Sequence, residues 1–307
     1  MQRSIIARPH AETAGLWYGL LGVLGFSLTL PATRVAVAYL DPSVVGLGRA
    51  LVAAVLAALL LAITRQRRPT RAELGSLAIV AGGVILGFPF LSAWALRQVP
   101  AAHGAIVIGL LPLATALVAA VRVGERPSWQ FWLASLAGSA AVIGFAIATG
   151  ADGLHAADLA LLAAVAAGAV GYAEGGRLAR TLGGWQVICW ALLLAAPFVS
   201  IPVGVALWRH GADAPLSAWL AFVYVAVISQ LLAFFAWYRG LALGGVARVS
   251  QIQLLQPFLT LLASALLLHE QITPAMLLIA LLVLLSVALG RRAAVARPSV
   301  KAVYNKN

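Results

Sequence analysis

The sequence predicts an all-α polytopic membrane protein, with ten transmembrane helices arranged as two inverted five-helix repeats around a central cavity. Composition indicates the membrane, because hydrophobic residues make up 63% of the 307 residues and charged residues only 10%. Too little polar surface remains to cover the core of a soluble protein of this size. The apolar segments give the number of helices, and paired landmarks in the two halves of the chain give the repeat.

Ten apolar segments follow one another with short linkers between them. Each is close to the length of about 20 residues that a helix needs to cross the hydrocarbon core. Even the most polar linker, residues 64–73, leaves no room for a soluble catalytic or DNA-binding domain. The predicted spans are 15–31, 43–63, 74–96, 103–121, 128–148, 158–176, 185–207, 217–238, 247–268 and 274–290.

The two halves of the chain share landmarks at a nearly constant offset. Pro112 is followed thirteen residues later by Glu125, and Pro257 is followed thirteen residues later by Glu270. An internal repeat in an apolar chain is typical of transporters. We therefore expect a first repeat over residues 14–149, a second over 157–290 and a basic cytoplasmic tail over 291–307. A second set of landmarks supports the duplication: Gly25-Phe26 with Arg34, and Gly171-Tyr172 with Arg180.

The basic residues predict the orientation. Most of the 21 Lys and Arg residues fall on one side if the N-terminus is inside, and only Arg34, Arg97 and Arg209 fall outside. Cytoplasmic loops are rich in Lys and Arg, so both termini are expected in the cytoplasm. Because five spans per repeat is an odd number, the second repeat enters the membrane from the opposite side. The net charge of +12 therefore reports topology and not nucleic-acid binding.

Polar and helix-breaking residues inside spans are the first candidates for a site. Pro112 and Pro257 each remove a backbone hydrogen bond and predict a kink, which serves either gating or static packing. Gln253, Gln256 and Thr260 share one face of span nine. Amides are costly in hydrocarbon, so this face is expected to point inward. There it either touches substrate or ties helices together, and we favour contact with substrate.

Two charged residues lie in the interior of predicted spans, beyond the first two positions of a span, and each has two interpretations. Glu174, near the cytoplasmic end of span six, either carries a proton or pairs with Arg177 three positions later. We favour the pair. Arg49, near the outer end of span two, either anchors a substrate carboxylate or extends to the outer interface. For Arg49 we favour the interface.

Aromatic side chains on spans one, three, six and eight complete the candidate cavity. An aromatic pocket with a few amides suits an amino acid with an apolar side chain, although packing against the core or lipid explains most aromatics in membrane proteins. We expect only part of the set to meet substrate. The set is Phe26, Phe90, Trp94, Tyr172, Phe234, Phe235 and Trp237.

Small residues predict close contacts between helices. Gly15, Gly19, Gly22 and Gly25 form a stripe on span one, and Ala134 with Gly138 repeats the pattern on span five. Such stripes let helix backbones approach closely, either as static seams or as sliding surfaces, and we favour static seams.

Several chemistries are not expected from this sequence. It has no phosphate-binding glycine loop with a lysine, no HExxH motif and no paired intramembrane aspartates, which argues against ATP-driven transport and metalloproteolysis. No metal or cofactor is predicted. No constellation of nucleophile or metal ligands is clustered at one interface, so we expect no enzyme, and a lipid-acting enzyme remains a lesser alternative. The single cysteine, Cys189, cannot form an intramolecular disulfide.

The paired Pro-to-Glu helices, 103–125 and 248–270, together with ten spans in two halves, resemble the drug/metabolite transporter superfamily with duplicated EamA-type domains. The resemblance covers about residues 14–290. In overall character the chain is similar to the YddG-type amino-acid exporters of the bacterial inner membrane. The resemblance implies ten spans, cytoplasmic termini and efflux of small amphipathic metabolites through a central cavity, to which spans one, three, six and eight contribute.

The sequence therefore predicts a monomeric inner-membrane transporter that exports small metabolites, foremost amino acids, including apolar and aromatic ones, by alternating access. Facilitated export is favoured because Glu174 is the only acid in the interior of a span, Asp158 being the first residue of span six. Drug-like cations are disfavoured for the same reason. The alternative is a proton-coupled drug/metabolite antiporter. The expected partners are the small-molecule substrate and the lipid bilayer, and not nucleic acid.

Overall fold

The computed structural model describes residues 9–122, 155–292 and a few residues besides: 126–127, 129, 133, 136–137, 140 and 295–296. Most of predicted span five, with Ala134 and Gly138, lies outside the described residues, as do Glu125 and most of the tail. The described residues form nine long helices, eight of which are long and apolar enough to cross a membrane. They are α1 (Thr13–Val37), α2 (Val44–Ile63), α3 (Arg71–Ala95), α4 (Ala101–Arg122), α5 (Ala156–Leu178), α6 (Gly184–His210), α7 (Leu216–Gly244), α8 (Val246–Leu268) and α9 (Pro274–Arg292).

The helices follow the predicted spans closely, with α5 to α9 corresponding to spans six to ten. The predicted class, an all-helical multi-pass membrane protein, is confirmed. Ten spans and an inverted repeat stay predictions. Strand pairing in the described part of the chain is limited to two residues on each side, where Arg126–Pro127 pairs antiparallel with Val295–Ala296.

Capping residues mark the helix termini next to two of the linkers. Thr70 and Glu73 form a capping box at the start of α3, in which each side chain accepts a hydrogen bond from the other residue's backbone N–H. Arg67 donates two hydrogen bonds to the Glu73 carboxylate, at 2.7 and 2.9 Å. The cap therefore fixes the most polar linker against the helix that follows it. In the second half of the chain α8 is followed by His269, which caps the helix in the left-handed conformation.

The glycine stripe of α1 packs directly against α7. A Cβ atom added at Gly15 would lie 2.6 Å from the backbone nitrogen of Gly244, and one added at Gly22 would lie 3.1 Å from the Cβ of Trp237. From the other side, a Cβ at Gly240 would lie 2.8 Å from the nitrogen of Gly19. The two backbones thus approach each other to a distance that only glycine permits.

An equivalent contact joins α5 and α3. Gly171 lies against Gly83, where an added Cβ would lie 2.8 Å from the Gly171 nitrogen. Tyrosine hydroxyls on α7 donate to both glycine carbonyls of the repeat landmarks, from Tyr224 to Gly25 at 2.9 Å and from Tyr238 to Gly171 at 3.2 Å. The two landmark glycines therefore have similar surroundings.

Several helices depart from α geometry in the interior of the bundle. Among the described residues three π-helical segments occur, Val44–Gly48 in α2, Ala81–Gly87 in α3 and Tyr224–Leu232 in α7. Residues Gln251–Leu255 of α8 form a 3-10 turn just before Pro257, and α4 is interrupted by a turn at residues 109–110 just before Pro112. Irregular backbone at membrane depth is tolerated where protein or a cavity surrounds it. These segments therefore point to the functional centre.

Candidate functional site

Two adjoining cavities lie in the middle of the bundle, and Leu30 and Gln256 line both of them. The larger has about 380 Å³ of space not filled by atoms, between α1, α2, α3, α5, α7 and α8. The smaller has about 220 Å³ of such space, where α4 meets α8. A Cβ added at Gly109, in the interrupted turn of α4, would lie 3.3 Å from the ring of Pro257. The smaller cavity therefore forms where the broken turns of α4 and α8 face each other.

The wall of the larger cavity includes a cluster of aromatic rings from three helices. Phe26 of α1 lies edge-to-face with Phe234 of α7, with ring centroids 5.0 Å apart, and stacks with Tyr172 of α5 at 6.2 Å. Tyr172 and Phe234 are 5.9 Å apart. Trp237 is fully buried behind these rings, 5.4 Å from Tyr172. Such mutual contacts hold the rings in fixed orientations.

Hydroxyl groups at the cavity wall tie α1 to its neighbours. The hydroxyls of Thr29 on α1 and Ser229 on α7 lie 2.8 Å apart. Thr260 of α8 donates to the backbone carbonyl of Ser27 at 2.7 Å, so it ties helices together as well as lining the smaller cavity. Thr260 therefore ties helices together from a position at a cavity wall, and its contact with substrate stays a prediction.

The amides of α7 and α8 form a second polar group at the wall. Gln230 of α7 donates to the Val84 carbonyl, which belongs to the π-helical segment of α3, at 3.3 Å. Gln253 and Gln256 of α8 are both buried, and the Gln253 amide donates to Gln256 at 3.5 Å. The Gln253 oxygen has no hydrogen-bond partner among the described residues. This oxygen is available to a ligand or a water molecule.

Arg49 also lines the larger cavity, and its side chain is only 3% exposed. The expectation that it extends to the outer interface is therefore wrong. Protein encloses this part of α2: a Cβ at Gly46 would meet the backbone of α3 at Pro89, and one at Gly48 would meet Val203 of α6 and Phe222 of α7. The long stem has no open path to the interface and extends inward.

No carboxylate in the described part of the chain forms an ion pair with Arg49, and its Nε has no hydrogen-bond partner there. Among the described residues that line the larger cavity there is no acidic side chain. The site therefore combines a buried positive charge with aromatic rings, amides and hydroxyls.

Glu174 lies away from both cavities, at the end of the bundle predicted to face the cytoplasm. Its carboxylate is 2.5 Å from Arg177 and 3.9 Å from Arg122 of α4, and Arg177 also donates to Ser76 of α3 at 2.8 Å. The Glu174 residue is 3% exposed. This network joins α3, α4 and α5.

A second polar network lies at the opposite end of the bundle. The Glu270 carboxylate, just after α8, accepts hydrogen bonds from the first backbone N–H groups of α4, those of Ala101 at 3.0 Å and Ala102 at 2.8 Å. His103 of α4 lies 2.6 Å from the buried Asp158 of α5. The position of the Glu270 carboxylate at the N-terminus of α4 is stabilising, because the unpaired N–H groups and the helix dipole both attract a negative charge. The network connects α8, α4 and α5.

Some predicted residues lie elsewhere. Trp94 is 37% exposed in the last turn of α3 and lines neither cavity, which corrects its assignment to the cavity. An aromatic residue near a helix end suits the membrane interface. Phe90 and Phe235 are half-buried and also lie outside both linings, and Phe235 contacts Trp185 at 6.1 Å between ring centroids. Pro112 is buried beside the turn of α4.

Sequence reasoning missed several lining residues. Ser229 and Gln230 form a polar pair within an apolar span, which is a recognisable signal because polar groups in hydrocarbon need partners. Thr29 gives a weaker signal of the same kind. Phe88 carried no signal that separates it from the other aromatics of α3. Among the described residues no group of three His, Cys, Asp or Glu side chains could hold a metal ion.

A bundle of membrane-length helices around a cavity lined by aromatic and polar side chains is typical of a multi-pass membrane protein that binds a small molecule, the class to which transporters belong. Comparison with known families gives the class a name. The sequence profile of the EamA-like transporter family matches residues 13–147 and 155–290, so the chain belongs to this family, in two copies of its domain. The predicted resemblance to transporters with duplicated EamA-type domains is confirmed, as is the expectation of transport and not catalysis.

Two relatives of this chain are named as a transporter and as an exporter. The chain is 46% identical over 284 residues to the "Uncharacterized transporter YdeK" of Bacillus subtilis, covering 92% of this chain and 99% of the relative. It is 30% identical over 237 residues to a "Probable terminal-alkyne amino-acid exporter" of Streptantibioticus cattleyicolor, covering 76% of this chain and 78% of that protein. Several solved structures match the fold, among them a crystal structure with a TM-score of 0.68 at 19% identity, over 96% of this chain and 100% of its own.

Proposed function

We propose that this transporter exports small amphipathic metabolites, foremost amino acids with apolar or aromatic side chains, across the bacterial inner membrane by alternating access. The observation that carries the proposal is the larger cavity, whose wall combines the rings of Phe26, Tyr172 and Phe234 with the amides of Gln230 and Gln256. Apolar walls with a few placed polar groups are typical of small-molecule sites. The relative named as an amino-acid exporter supports the same substrate class.

The proposed architecture is two five-helix repeats of opposite orientation. The family profile matches twice, and the landmark glycines Gly25 and Gly171 both pack closely against a neighbouring helix and accept hydrogen bonds from tyrosine hydroxyls. Their neighbours Phe26 and Tyr172 stack across the cavity. This pairing is what a pseudo-two-fold axis through the cavity would produce, and such sites lie between the repeats. The proposal has both termini in the cytoplasm, on the basis of the distribution of Lys and Arg.

Alternating access requires that the cavity opens to one side at a time. The polar networks at the two ends supply contacts that can be made and broken in turn: Glu270 with the start of α4 at one end, and Glu174 with Arg177 at the other. The kinks next to Pro112 and Pro257 provide flexible turns between those ends and the cavity.

Facilitated export is favoured over proton coupling. Glu174, the acid that would carry a proton, is engaged by Arg177 and lines neither cavity. A proton carrier coupled to substrate is expected to face the substrate pathway.

Counterflow into liposomes tests the proposal. Purified protein would be reconstituted with unlabelled amino acid inside, and the uptake of radiolabelled phenylalanine, leucine and a wider amino-acid panel would be measured with and without a pH gradient. Protein-free liposomes are the control. Uptake without a gradient supports facilitated transport. Uptake only with a pH gradient would replace it by proton-coupled antiport, and no uptake across the panel would rule out amino acids as the substrate.

A further inference from the structure

The surroundings of Arg49 differ from those of other arginines in the bundle. Arg34 of α1 donates to the carbonyl of Leu96, at the end of α3, and Arg177 pairs with Glu174. Both therefore have a structural partner. The Arg49 Nε, although buried, has no partner in the described part of the chain, and no carboxylate there pairs with its charge.

A guanidinium group stays protonated in proteins, so burial does not remove the charge of Arg49. An unpaired charge taken out of water is strongly destabilising, and charged residues inside membrane proteins are rare and mark ligand pathways. A residue that only stabilised the fold would be replaced at lower cost by an apolar side chain of similar size. The missing negative charge is therefore best supplied by something that enters the cavity.

The cavity around Arg49 indicates the chemistry of that ligand. A guanidinium binds a planar carboxylate through two parallel N–H groups, and an unpartnered Nε–H leaves one of them free. Phe26 and Phe234 on the same cavity wall suit an apolar group on the same molecule. The absence of acidic side chains from the lining gives no counter-charge for a simple amine.

We infer that Arg49 is a specificity-determining subsite that binds the carboxylate of the transported molecule, so that carboxylates with an apolar side chain are accepted and the corresponding amines are rejected. This inference rests on the proposed function. It identifies the substrate class as carboxylates, with or without an amino group, and assigns the discrimination between them and amines to a single side chain.

The test measures how strongly three related compounds inhibit the counterflow uptake of radiolabelled phenylalanine. Wild-type protein would be challenged with three compounds that share the phenyl group: phenylalanine, 3-phenylpropionate and phenethylamine. We expect the two carboxylates to compete and phenethylamine to be weaker by about 100-fold, since a site built to hydrogen-bond a group discriminates strongly against analogues that lack it. Equal competition by phenethylamine would overturn the inference even if phenylalanine transport is established. A wild type that transports no amino acid of the panel, phenylalanine included, would instead overturn the proposed function, and with it this inference.

Variants at Arg49 test whether this residue is responsible for the preference for carboxylates over amines. In Arg49→Gln we expect the phenylalanine concentration for half-maximal uptake to rise by about 30-fold or more, and the preference for carboxylate over amine to fall towards one. Arg49→Lys keeps the charge without the planar fork and should keep part of the preference. Arg209→Gln, which changes an exposed arginine at the end of α6, is the matched control and should behave as the wild type.

Folding is checked by gel filtration and thermal unfolding of each variant. A folded Arg49→Gln that keeps the wild-type preference overturns the assignment. If Arg49→Gln does not fold, Arg49→Lys and the wild-type competition series decide between the two outcomes, because a merely structural arginine would leave the order of the competitors unchanged.

Discussion

Glu174 illustrates how one buried side chain can hold three helices together. Its carboxylate lies 2.5 Å from Arg177, which also contacts Ser76, and 3.9 Å from Arg122. In Glu174→Gln the charge is lost while the shape is kept, so we expect the free energy of unfolding to fall by about 1–3 kcal/mol. Thermal unfolding of purified protein measures this change.

The same variant separates structure from proton coupling. Because Glu174 is predicted to stabilise and not to carry protons, counterflow by folded Glu174→Gln should show the same dependence on a pH gradient as the wild type. Loss of gradient-driven uptake, with folding intact, would show that Glu174 couples transport to protons. Glu73→Gln is a suitable control, since its carboxylate pairs with Arg67 in the linker before α3.

Thr260 gives a prediction about a single hydroxyl. It donates to the Ser27 carbonyl at 2.7 Å in a buried position between α8 and α1. Thr260→Val keeps the shape and removes the donor, so we expect a loss of about 1–2 kcal/mol in the free energy of unfolding. Thr64→Val is the matched control, because Thr64 donates to a carbonyl of its own helix at an exposed position and should change stability by less. Equal losses in both variants would contradict a tie between helices at Thr260.

At the residue scale, spacing predicted some of the candidate site and not the rest. The shared face of Gln253, Gln256 and Thr260 follows from helical periodicity, and all three are buried. The position of Arg49 does not follow from periodicity, because whether a long side chain reaches an interface depends on what covers it. For Trp94 the error is the opposite one: it was predicted at the cavity and lies exposed near the end of α3. Aromatic character alone does not distinguish a cavity wall from the outer surface of the bundle.

The seam between α1 and α7 gives a prediction at the scale of an element. An added Cβ at Gly15 would lie 2.6 Å from the Gly244 nitrogen, which no side-chain movement relieves. We expect Gly15→Ala to lower the free energy of unfolding by about 1–3 kcal/mol, because the helices must separate. Gly75→Ala in α3, where an added Cβ meets nothing within 4 Å, is the control. It should be neutral or stabilising, since alanine favours the helix.

Thermal unfolding of the two glycine variants side by side measures the difference. A Gly15→Ala protein as stable as Gly75→Ala would show that the seam opens easily, as a sliding surface would. The stripe itself was recognisable in the sequence, but the helix that packs against it was not, because small-residue spacing carries no information about the partner.

The irregular segments show what local sequence cannot predict in an element. The turns before Pro112 and Pro257 follow from the missing N–H of proline, which leaves the carbonyl four residues earlier without its helical partner. The π-helical segments of α2, α3 and α7 contain no proline. They depend on contacts with neighbouring helices, such as the hydrogen bond from Gln230 to Val84, which only the folded bundle brings together.

At the scale of the whole molecule, the contact of Glu270 with Ala101 and Ala102 connects distant parts of the chain at one end of the bundle. Glu270→Gln weakens this contact by removing the charge. If the contact holds the outer end closed, a loss of about 1.4 kcal/mol would increase the open population about tenfold. Access to the cavity from outside should rise accordingly.

Cysteine labelling measures that access. A cysteine at Ala105, which lines the smaller cavity, would be introduced in a Cys189→Ser background and treated in intact cells with a membrane-impermeant thiol reagent. We expect about tenfold faster labelling when Glu270→Gln is added. Glu73→Gln, which alters a cap within one linker and helix, should leave the rate unchanged. An unchanged rate with Glu270→Gln would show that this contact does not close the outer end.

The sequence was most informative about the whole molecule. Composition indicated the membrane, and the landmarks around Pro112 and Pro257 indicated a duplicated chain, in agreement with two matches of the family profile. Both signals are spread over many residues, so local exceptions do not remove them. The shape of the cavity depends instead on a few contacts between distant helices, such as Thr29 with Ser229.

The buried charge of Arg49 also bears on the energetics of the cell membrane. A transporter in an energised bilayer must not let protons leak, and a fixed positive charge beside an enclosed cavity opposes the entry of hydronium and metal cations. Liposomes containing the wild type should therefore hold an imposed pH gradient as long as protein-free liposomes do. Those containing Arg49→Gln should lose it faster, as a pH-sensitive dye inside would report. The arginine that selects the cargo would then also preserve the proton-motive force.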